Sequence, residues 1–365
     1  LGERQDPGLP GEPAGGPALR VEIAVMRRLG ILAVAMLAAV ESGGASVVEV
    51  DPGDPKCATD GAVPRCSLRA ALDAANAAGG GLIRLAPRSV HSLTGVAAVN
   101  GLEGGSGLPS VTAEVTIEGS GAIVERSTAP GTPPFRIFHV APQGRLTLRD
   151  LTVRHGLTEG YTDGGGLWNT GALVLERVTV TGNTAGDDGG GIRNDGVLRM
   201  VGSFVTANRA DGEGGTGGGV YNLPVAGAGE VDISDTVLRD NRAGDRGGAI
   251  WNSGTVRLEG AILEGNSARV GGGAIRNVGS MRLTRCRIVG NLSEGRAGGV
   301  SALGPVEAWD TTVAGNSAPS DPDYEGDFKM GGVPAGRTPV SPSTNGWPAT
   351  AGWSPWPSGS TAESR

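Results

Sequence analysis

From residue 168 onward, one set of large side chains returns at near-constant intervals: Trp168, Arg193, Tyr221, Trp251, Arg276 and then Ser301. Each sits between an aliphatic residue and, in most cases, an asparagine, as in Leu167–Trp168–Asn169 and Ile250–Trp251–Asn252. In an extended segment such a residue points away from what its neighbours pack against. Indole, phenol and guanidinium groups in a row have two uses. They could hold sugar rings, forming a glycan-binding column, or they could stack on one another and stabilise a sheet through cation–π contact.

A second set is acidic. Glu159, Asp163, Asp187, Asp188, Asp211 and Glu213 precede Arg246, Arg269 and Arg296 along equivalent Gly-rich stretches. Carboxylates on adjacent turns could bind Ca²⁺, with Asp187, Asp188, Asp211 and Glu213 as the candidate ligands; a solvated polar corner is the other reading. No further cofactor is indicated. Glycoside hydrolysis needs two or three carboxylates converging on one bond, and lyase chemistry needs a base beside Ca²⁺-bound carboxylates. No Asp set repeats on one outward strand face, and Asp187 and Asp188, adjacent in a turn, point different ways. His91, His139 and His155 are scattered and read as structural or solvent-facing. No catalytic residue is therefore assigned.

The spacing of these residues comes from a repeat. Asn183, Asn208, Asn241, Asn266, Asn291 and Asn316 form one series, stepping mostly by 25; Asn169, Asn194, Asn222, Asn252 and Asn277 form another. A fixed period of this size marks a solenoid. One repeat, "GALVLERVTVTGNTAGDDGGGIRND" (171–195), contains three short stretches of alternating polarity separated by turns. Stacking the repeats aligns apolar columns: Leu146, Leu173, Leu198, Val231, Val256, Met281, Val306; Leu148, Leu175, Met200, Ile233, Leu258, Leu283; Val153, Val180, Val205, Leu238, Leu263, Ile288, Val313; and Leu167, Ile192, Val220, Ile250, Ile275, Val300. The pattern predicts an all-β fold, a right-handed parallel β-helix with three strands per ~25-residue coil, each coil ~4.8 Å above the last. Asparagines at the same turn of successive coils would bond as ladders, and glycines would allow the tight corners. Cys286 falls in a small interior column with Ser203 and Thr236. The added residues "DGEGGTG" and "LPVAGAGE" mark insertions in two arcs, Asn208–Asn222 and Asn222–Asn241; solenoid insertions often cluster on a binding face.

Composition agrees. Gly is 66 of 365 residues without a G-X-Y period, which excludes collagen, and aromatic content is 4%, too little for a large globular core. The formal net charge of −7 disfavours nucleic acid and anionic membranes as partners. Residues 26–45 have two arginines followed by an apolar run too short to span a bilayer, then small residues, and read as a secretory signal peptide. Residues 1–25 then read as a non-native upstream extension, and no transmembrane segment remains after cleavage. Export permits disulfides, and Cys57 and Cys66 are close enough in sequence to pair. Residues 46–114 read as an N-terminal cap with the first strands, including an amphipathic helix in "SLRAALDAANAAGG"; 115–328 are the coils; 329–365, rich in Pro, Ser and Gly, read as a disordered tail.

"CSLRAALDAANA" is similar to the motif that opens the CSLREA class of exported bacterial β-helix proteins, with Ala70-Ala71 where that name has Glu-Ala. "LPSVTAEVTIEGSGAIVERS" and "FRIFHVAPQGRLTLRDLTVRHG" resemble the next segment of that family. The "GNxA…GGGIxN" coils resemble polymorphic outer-membrane protein repeats and the pectin-lyase-like fold. The resemblance covers about 48–328. It implies an exported protein, secreted or exposed on the cell surface, often of unassigned function; the chain reads as a structural and adhesin-like binding module for polysaccharide or other cell-surface glycans. The alternative, which the pectin-lyase-like fold implies, is a polysaccharide lyase or glycoside hydrolase. It leaves the oligomeric state open, and residues 329–365 contain no alternating barrel strands.

Overall fold

A computed structural model describes residues 47–50, 65–99, 104–224 and 229–331. The segment read as a signal peptide, Cys57 and the stretch from 332 lie outside the described residues, and with Cys57 the Cys57–Cys66 pairing.

The chain winds as a parallel β-helix. Alternating polarity explains the three principal faces. On the first, Ala172–Glu176 pairs in parallel and in register with Val197–Val201, which pairs with Glu230–Ser234, then Thr255–Glu259, then Ser280–Thr284. On the second, Thr179–Thr181, Phe204–Thr206, Val237–Arg239, Ile262–Glu264 and Arg287–Val289 stack likewise. On the third, Leu167–Asn169, Ile192–Asn194, Val220–Asn222, Ile250–Asn252 and Ile275–Asn277 do so. The aliphatic columns point inward and form one continuous core. Val180, Ile192, Leu198 and Leu263 are fully buried.

A fourth, narrow sheet was not evident in the sequence. Thr184–Ala185, Arg209–Ala210, Arg242–Ala243, Ser267–Ala268 and Leu292–Ser293 stack in parallel, with a buried column of Ala185, Ala210, Ala243, Ala268 and Ser293. Two residues are too few to show an alternation, and alanine adds no clear apolar signal.

The bends between faces need left-handed backbone. Asp150, Arg177, Gly202, Asp235, Gly260, Arg285 and Asp310 occupy one column of positive φ between the first and second faces. Only glycine enters this region without cost, so the Asp and Arg residues there carry local strain that the surrounding ladders must hold.

Both asparagine series bond along the stack. The Asn169 amide donates to Asn194 Oδ1 at 2.7 Å, Asn194 to Asn222 at 2.8 Å, and Asn222 and Asn252 continue the line to Asn277. In the other series Asn183, Asn208, Asn241, Asn266 and Asn291 each donate to the next Asn Oδ1 at 2.9–3.0 Å. Each Nδ2 there also reaches a backbone carbonyl, such as Val205 O from Asn241. Asn316 ends this line on Asp323 Oδ1. These buried amides are thus satisfied where the chain turns inward.

The stack begins earlier than the coil pattern suggests. Val47–Val50 pairs in parallel with Gly80–Leu85, which pairs with Glu114–Arg126. The helix Leu68–Ala77 is capped by the Ser67 hydroxyl and buries Leu68, Ala71, Leu72 and Ala75 against this first part of the core. At the other end Tyr324–Gly331 adds a last strand, three residues beyond the boundary read from composition. Among the described residues no helix is long and apolar enough to cross a membrane.

Candidate functional site

Two side-chain columns flank the Gly-rich corner that leads into the third face. The outer column lies on the third-face strands. The parallel register places His139, Trp168, Arg193, Tyr221, Trp251, Arg276, Ser301 and Glu325 on successive rungs. The second column is the residue just before each corner: Asp163, Asp188, Thr216, Arg246, Gly271, Arg296 and Ser320. Its stacking is fixed by the corner backbone: Gly164, Gly189 and Gly217 donate to the carbonyls of Asp188, Thr216 and Arg246, and Arg246, Gly271, Arg296 and Ser320 form successive parallel bridges.

The columns meet on a diagonal, where four second-column residues lie beside the outer residue one coil further on. Asp163 pairs with Arg193, both side chains nearly buried. Asp188 stands beside Tyr221 and, after burial, is the main cause of the phenol's raised pKa. Gly271 turns its missing side chain toward Ser301. Arg246 acts on Arg276 as a like charge. Reading the strands alone placed the aromatic and guanidinium column in the open. The structure recesses it: Tyr221 is 8% exposed, and the Trp168 and Trp251 side chains are half-buried.

The N-terminal half is interlocked. The Trp168 ring lies 4.6 Å from the His139 ring, with the Arg136 and Arg193 guanidinium groups 5.0 and 5.4 Å from its centroid. Its indole N–H donates to Asp195 Oδ2 at 2.8 Å, and Arg193 Nε reaches Asp195 Oδ1 at 3.0 Å. Arg136 donates to the Asp163 carbonyl. Burial, reinforced by Arg136, pushes the His139 imidazole down to about 4, so it is neutral near pH ~7. Asp188 accepts from the Thr216 N–H and hydroxyl, both at 2.8 Å; burial still raises its carboxyl above the ordinary value. Burial, then Asp188, raises the Tyr221 phenol. Asp187 differs: burial and then Asp163 push its carboxyl up, and that carboxyl bonds no described residue.

Trp251 and Arg276 belong to a more open half. Tyr221 and Trp251 stack at 4.6 Å and 19°. Arg276 Nη1 turns to the Ser301 hydroxyl, which donates to Glu325 Oε1 at 2.6 Å. Arg276 Nε is buried with no acceptor. Burial and then Arg246 hold the guanidinium below its usual range.

Of the four carboxylates considered for Ca²⁺, Asp188 accepts from Thr216 and Asp211 pairs with Arg209. Among the described residues no group of three His, Cys, Asp or Glu side chains is arranged to hold a metal ion. Cavities of 490 Å³, beside Arg84 and Glu118, and 330 Å³, beside Arg257 and Arg282, lie away from both columns.

Reasoning from strand pattern missed Arg136, His139, Asp195 and Thr216 as parts of this site. One signal was present: aligning "FHV" with "LWN" extends the outer column back to His139. Asp195 follows two residues after Arg193 and gave none.

No family model matches the chain, and no curated protein matches it. Among solved structures the chain is similar to the pectate lyase Pel9A, at 15% identity over 79% of this chain and 75% of that one, with a TM-score of 0.49. It is also similar to the A-module of the Azotobacter vinelandii mannuronan C-5 epimerase AlgE6, at 16% identity over 72% of this chain and 84% of that one, with a TM-score of 0.37.

Proposed function

We propose that this protein is an exported β-helix that binds an extended polysaccharide, secreted or cell-surface, along the two columns. The observation that carries the reading is the outer column itself. Aromatic and guanidinium groups follow one another from His139 to Arg276 on rungs ~4.8 Å apart, close to the length of one sugar unit. Because the rings stack along the axis, their faces are mostly taken by neighbours. Recognition then rests on edges, polar tips and the exposed part of the Trp251 indole rather than on a row of open ring faces.

A second reading, cleavage of the bound glycan, is favoured by one residue. Asp187 has an unpartnered carboxyl with a raised pKa beside Asp163 and Asp188, a suitable starting point for a proton donor. The full chain is tested against neutral and acidic polysaccharides, with retention and product release read together. Retention lost in Trp251→Ala supports binding along the column. Release of shortened or unsaturated products, lost in Asp187→Asn, supports cleavage instead. No retention of any polysaccharide sinks both.

A further inference from the structure

The two ends of the coil stack differ. At the N-terminal end the edge strand among the described residues, Arg65–Cys66, is two residues long and leads through Ser67 into the helix Leu68–Ala77. The helix buries its apolar face there, and the inward residues Val48, Val50, Ile83 and Leu85 are all buried. At the C-terminal end the strand Tyr324–Gly331 runs for eight residues, and among the described residues it pairs on one side only, with Val300–Trp309. The register continues the inward columns onto it: Tyr324 follows Val300, Phe328 follows Val306, and Met330 follows Ala308. The three residues beneath are buried, but Tyr324 is 46% and Met330 49% exposed. The Tyr324 and Phe328 rings stack at 4.6 Å at this end of the core. Apolar side chains on core columns, beside a row of unpaired backbone groups, form a surface that another strand would complete.

The residues that follow are poor strand material. From 332 to 357 no more than six residues pass without a proline, which cannot donate to a ladder. The helix closes the opposite end, so copies cannot stack head to tail. The open edge can instead pair with itself, antiparallel about a two-fold axis, which uses up both edges and closes. The strand turns a corner between Gly326 and Phe328, lying over Val300–Ala302 on the third face and over Val306–Trp309 on the first. A two-fold axis superposes a bent strand on its mate only through that corner, which puts Asp327 on the axis. Tyr324 then meets Met330 of the second copy, and Phe328 meets Gly326, where no side chain competes for space. On the outward side Glu325 meets Lys329, one of only two lysines in the chain. Each contact occurs twice. The Asp327 pair on the axis is flanked by both lysines, each 3.7 Å from the Asp327 of its own chain. An axis through Gly326 would instead set Glu325 against Asp327, and one through Phe328 would leave the two corners out of step. A lysine on an edge strand ordinarily discourages pairing; here the two-fold brings a carboxylate opposite it.

We propose that Tyr324–Gly331 is a self-complementary interface through which two copies of this chain join end to end, with Asp327 on the two-fold axis. The inference is independent of what the side-chain columns bind. It covers Tyr324, Phe328 and Met330 of both copies.

The test uses the full chain, followed by sedimentation velocity from about 1 to ~100 µM. The wild type should form a dimer and nothing larger. Lys329→Glu sets two pairs of carboxylates opposite one another, and Glu325→Lys two pairs of ammonium groups. Each alone should weaken dimerisation about tenfold or more. An equimolar mixture of the two variants should recover a heterodimer, because every glutamate then meets a lysine. Melting curves report whether each variant folds. If Glu325→Lys does not, since Glu325 also accepts from Ser301, Asp327→Cys takes its place: lying on the axis, it should cross-link to itself with diamide as oxidant, and the wild type should not. Dimerisation weakened by each charge reversal and restored on mixing, or self-cross-linking of Asp327→Cys, supports the interface. A dimer indifferent to both reversals, open-ended growth with concentration, or a monomer at ~100 µM overturns it. A monomer in which the amides of 324–331 resist hydrogen exchange overturns it in favour of the chain's own residues from 332 onward as the cover.

Discussion

Trp168 is tied to the following coil through Asp195, whose Oδ2 accepts the indole N–H at 2.8 Å while the same carboxylate takes Arg193 Nε. One acidic side chain thus holds an aromatic ring and the cation that packs over it. Asp195→Ala should lower stability by about 2 kcal/mol, because it takes the acceptor from the Trp168 indole N–H and from Arg193 Nε. Trp168→Phe keeps a ring in the stack and loses one bond, for about 1 kcal/mol. Urea unfolding midpoints rank the two; equal losses would mean the ring, not the carboxylate, holds this half together.

The ladders should show position dependence. Asn241 lies mid-series, bonding Asn208, Asn266 and the Val205 carbonyl, and is fully buried. Asn316 lies at the end, on Asp323. Asn241→Leu should cost about 3 kcal/mol or more and Asn316→Leu about half that, since the interior change strands partners on both sides. Chemical denaturation of both variants gives the comparison, and a larger loss at Asn316 would contradict it.

His139 gives a pH signature. Its folded value of about 4 lies below the ordinary 6.5, so between these values the unfolded chain binds more protons than the folded one. Stability from this group is full above 6.5 and is lost as pH falls through that window. His139→Gln should therefore reduce the loss of stability on acidification from pH ~7 to ~4. An unfolding series across that range shows it; parallel curves for the two proteins would remove His139 from the account.

Asp187 separates the two functional readings. Its raised carboxyl forms no bond that holds the fold, so Asp187→Asn should leave melting unchanged within about 0.5 kcal/mol. If the protein cleaves glycan, product release should fall ~100-fold or more in this variant with binding retained. Unchanged release would place any cleavage elsewhere.

The corner glycines are not equivalent. Gly273→Ala drives a Cβ to 2.4 Å from the Gly298 and Leu292 carbonyl oxygens, whereas Gly271→Ala meets nothing nearer than 3.5 Å. The first should cost more than about 2 kcal/mol and the second less than about 0.5 kcal/mol. Melting curves of the two single variants decide; a large loss at Gly271 would mean that this glycine is a requirement of folding.

The architecture was legible because it repeats. Leucine, valine and isoleucine recur in register, and the asparagines mark each rung, so both the stacking and the inward columns could be read from period alone. The Ala185–Ala210–Ala243 column was not, because two-residue strands of alanine have no pattern to recognise. The site was half legible. Trp168, Arg193, Tyr221, Trp251 and Arg276 showed their common face through spacing. Their recess, and the diagonal from Asp163 to Arg193, depend on where the Gly-rich arc folds back. Strand alternation carries no information about that arc. Arg136 was hidden for a related reason: it is a fully buried cation on an irregular stretch before the repeat sets in.

The asparagine ladders also set the unit in which this chain can change length. Steps of 25, 28, 30 and 33 residues all return an Asn to the next rung, with the surplus let out in the Gly-rich arc before Asn222 and in the stretch after it. The ladder therefore counts turns rather than residues. Removing 253–277 would set Asn252 where Asn277 stood and bring Asn241 against Asn291, with Leu238 meeting Ile288. Duplicating the same stretch would do the reverse. A groove built on such a ruler lengthens or shortens by whole ligand-sized steps, each new turn carrying one more side chain to meet the polymer.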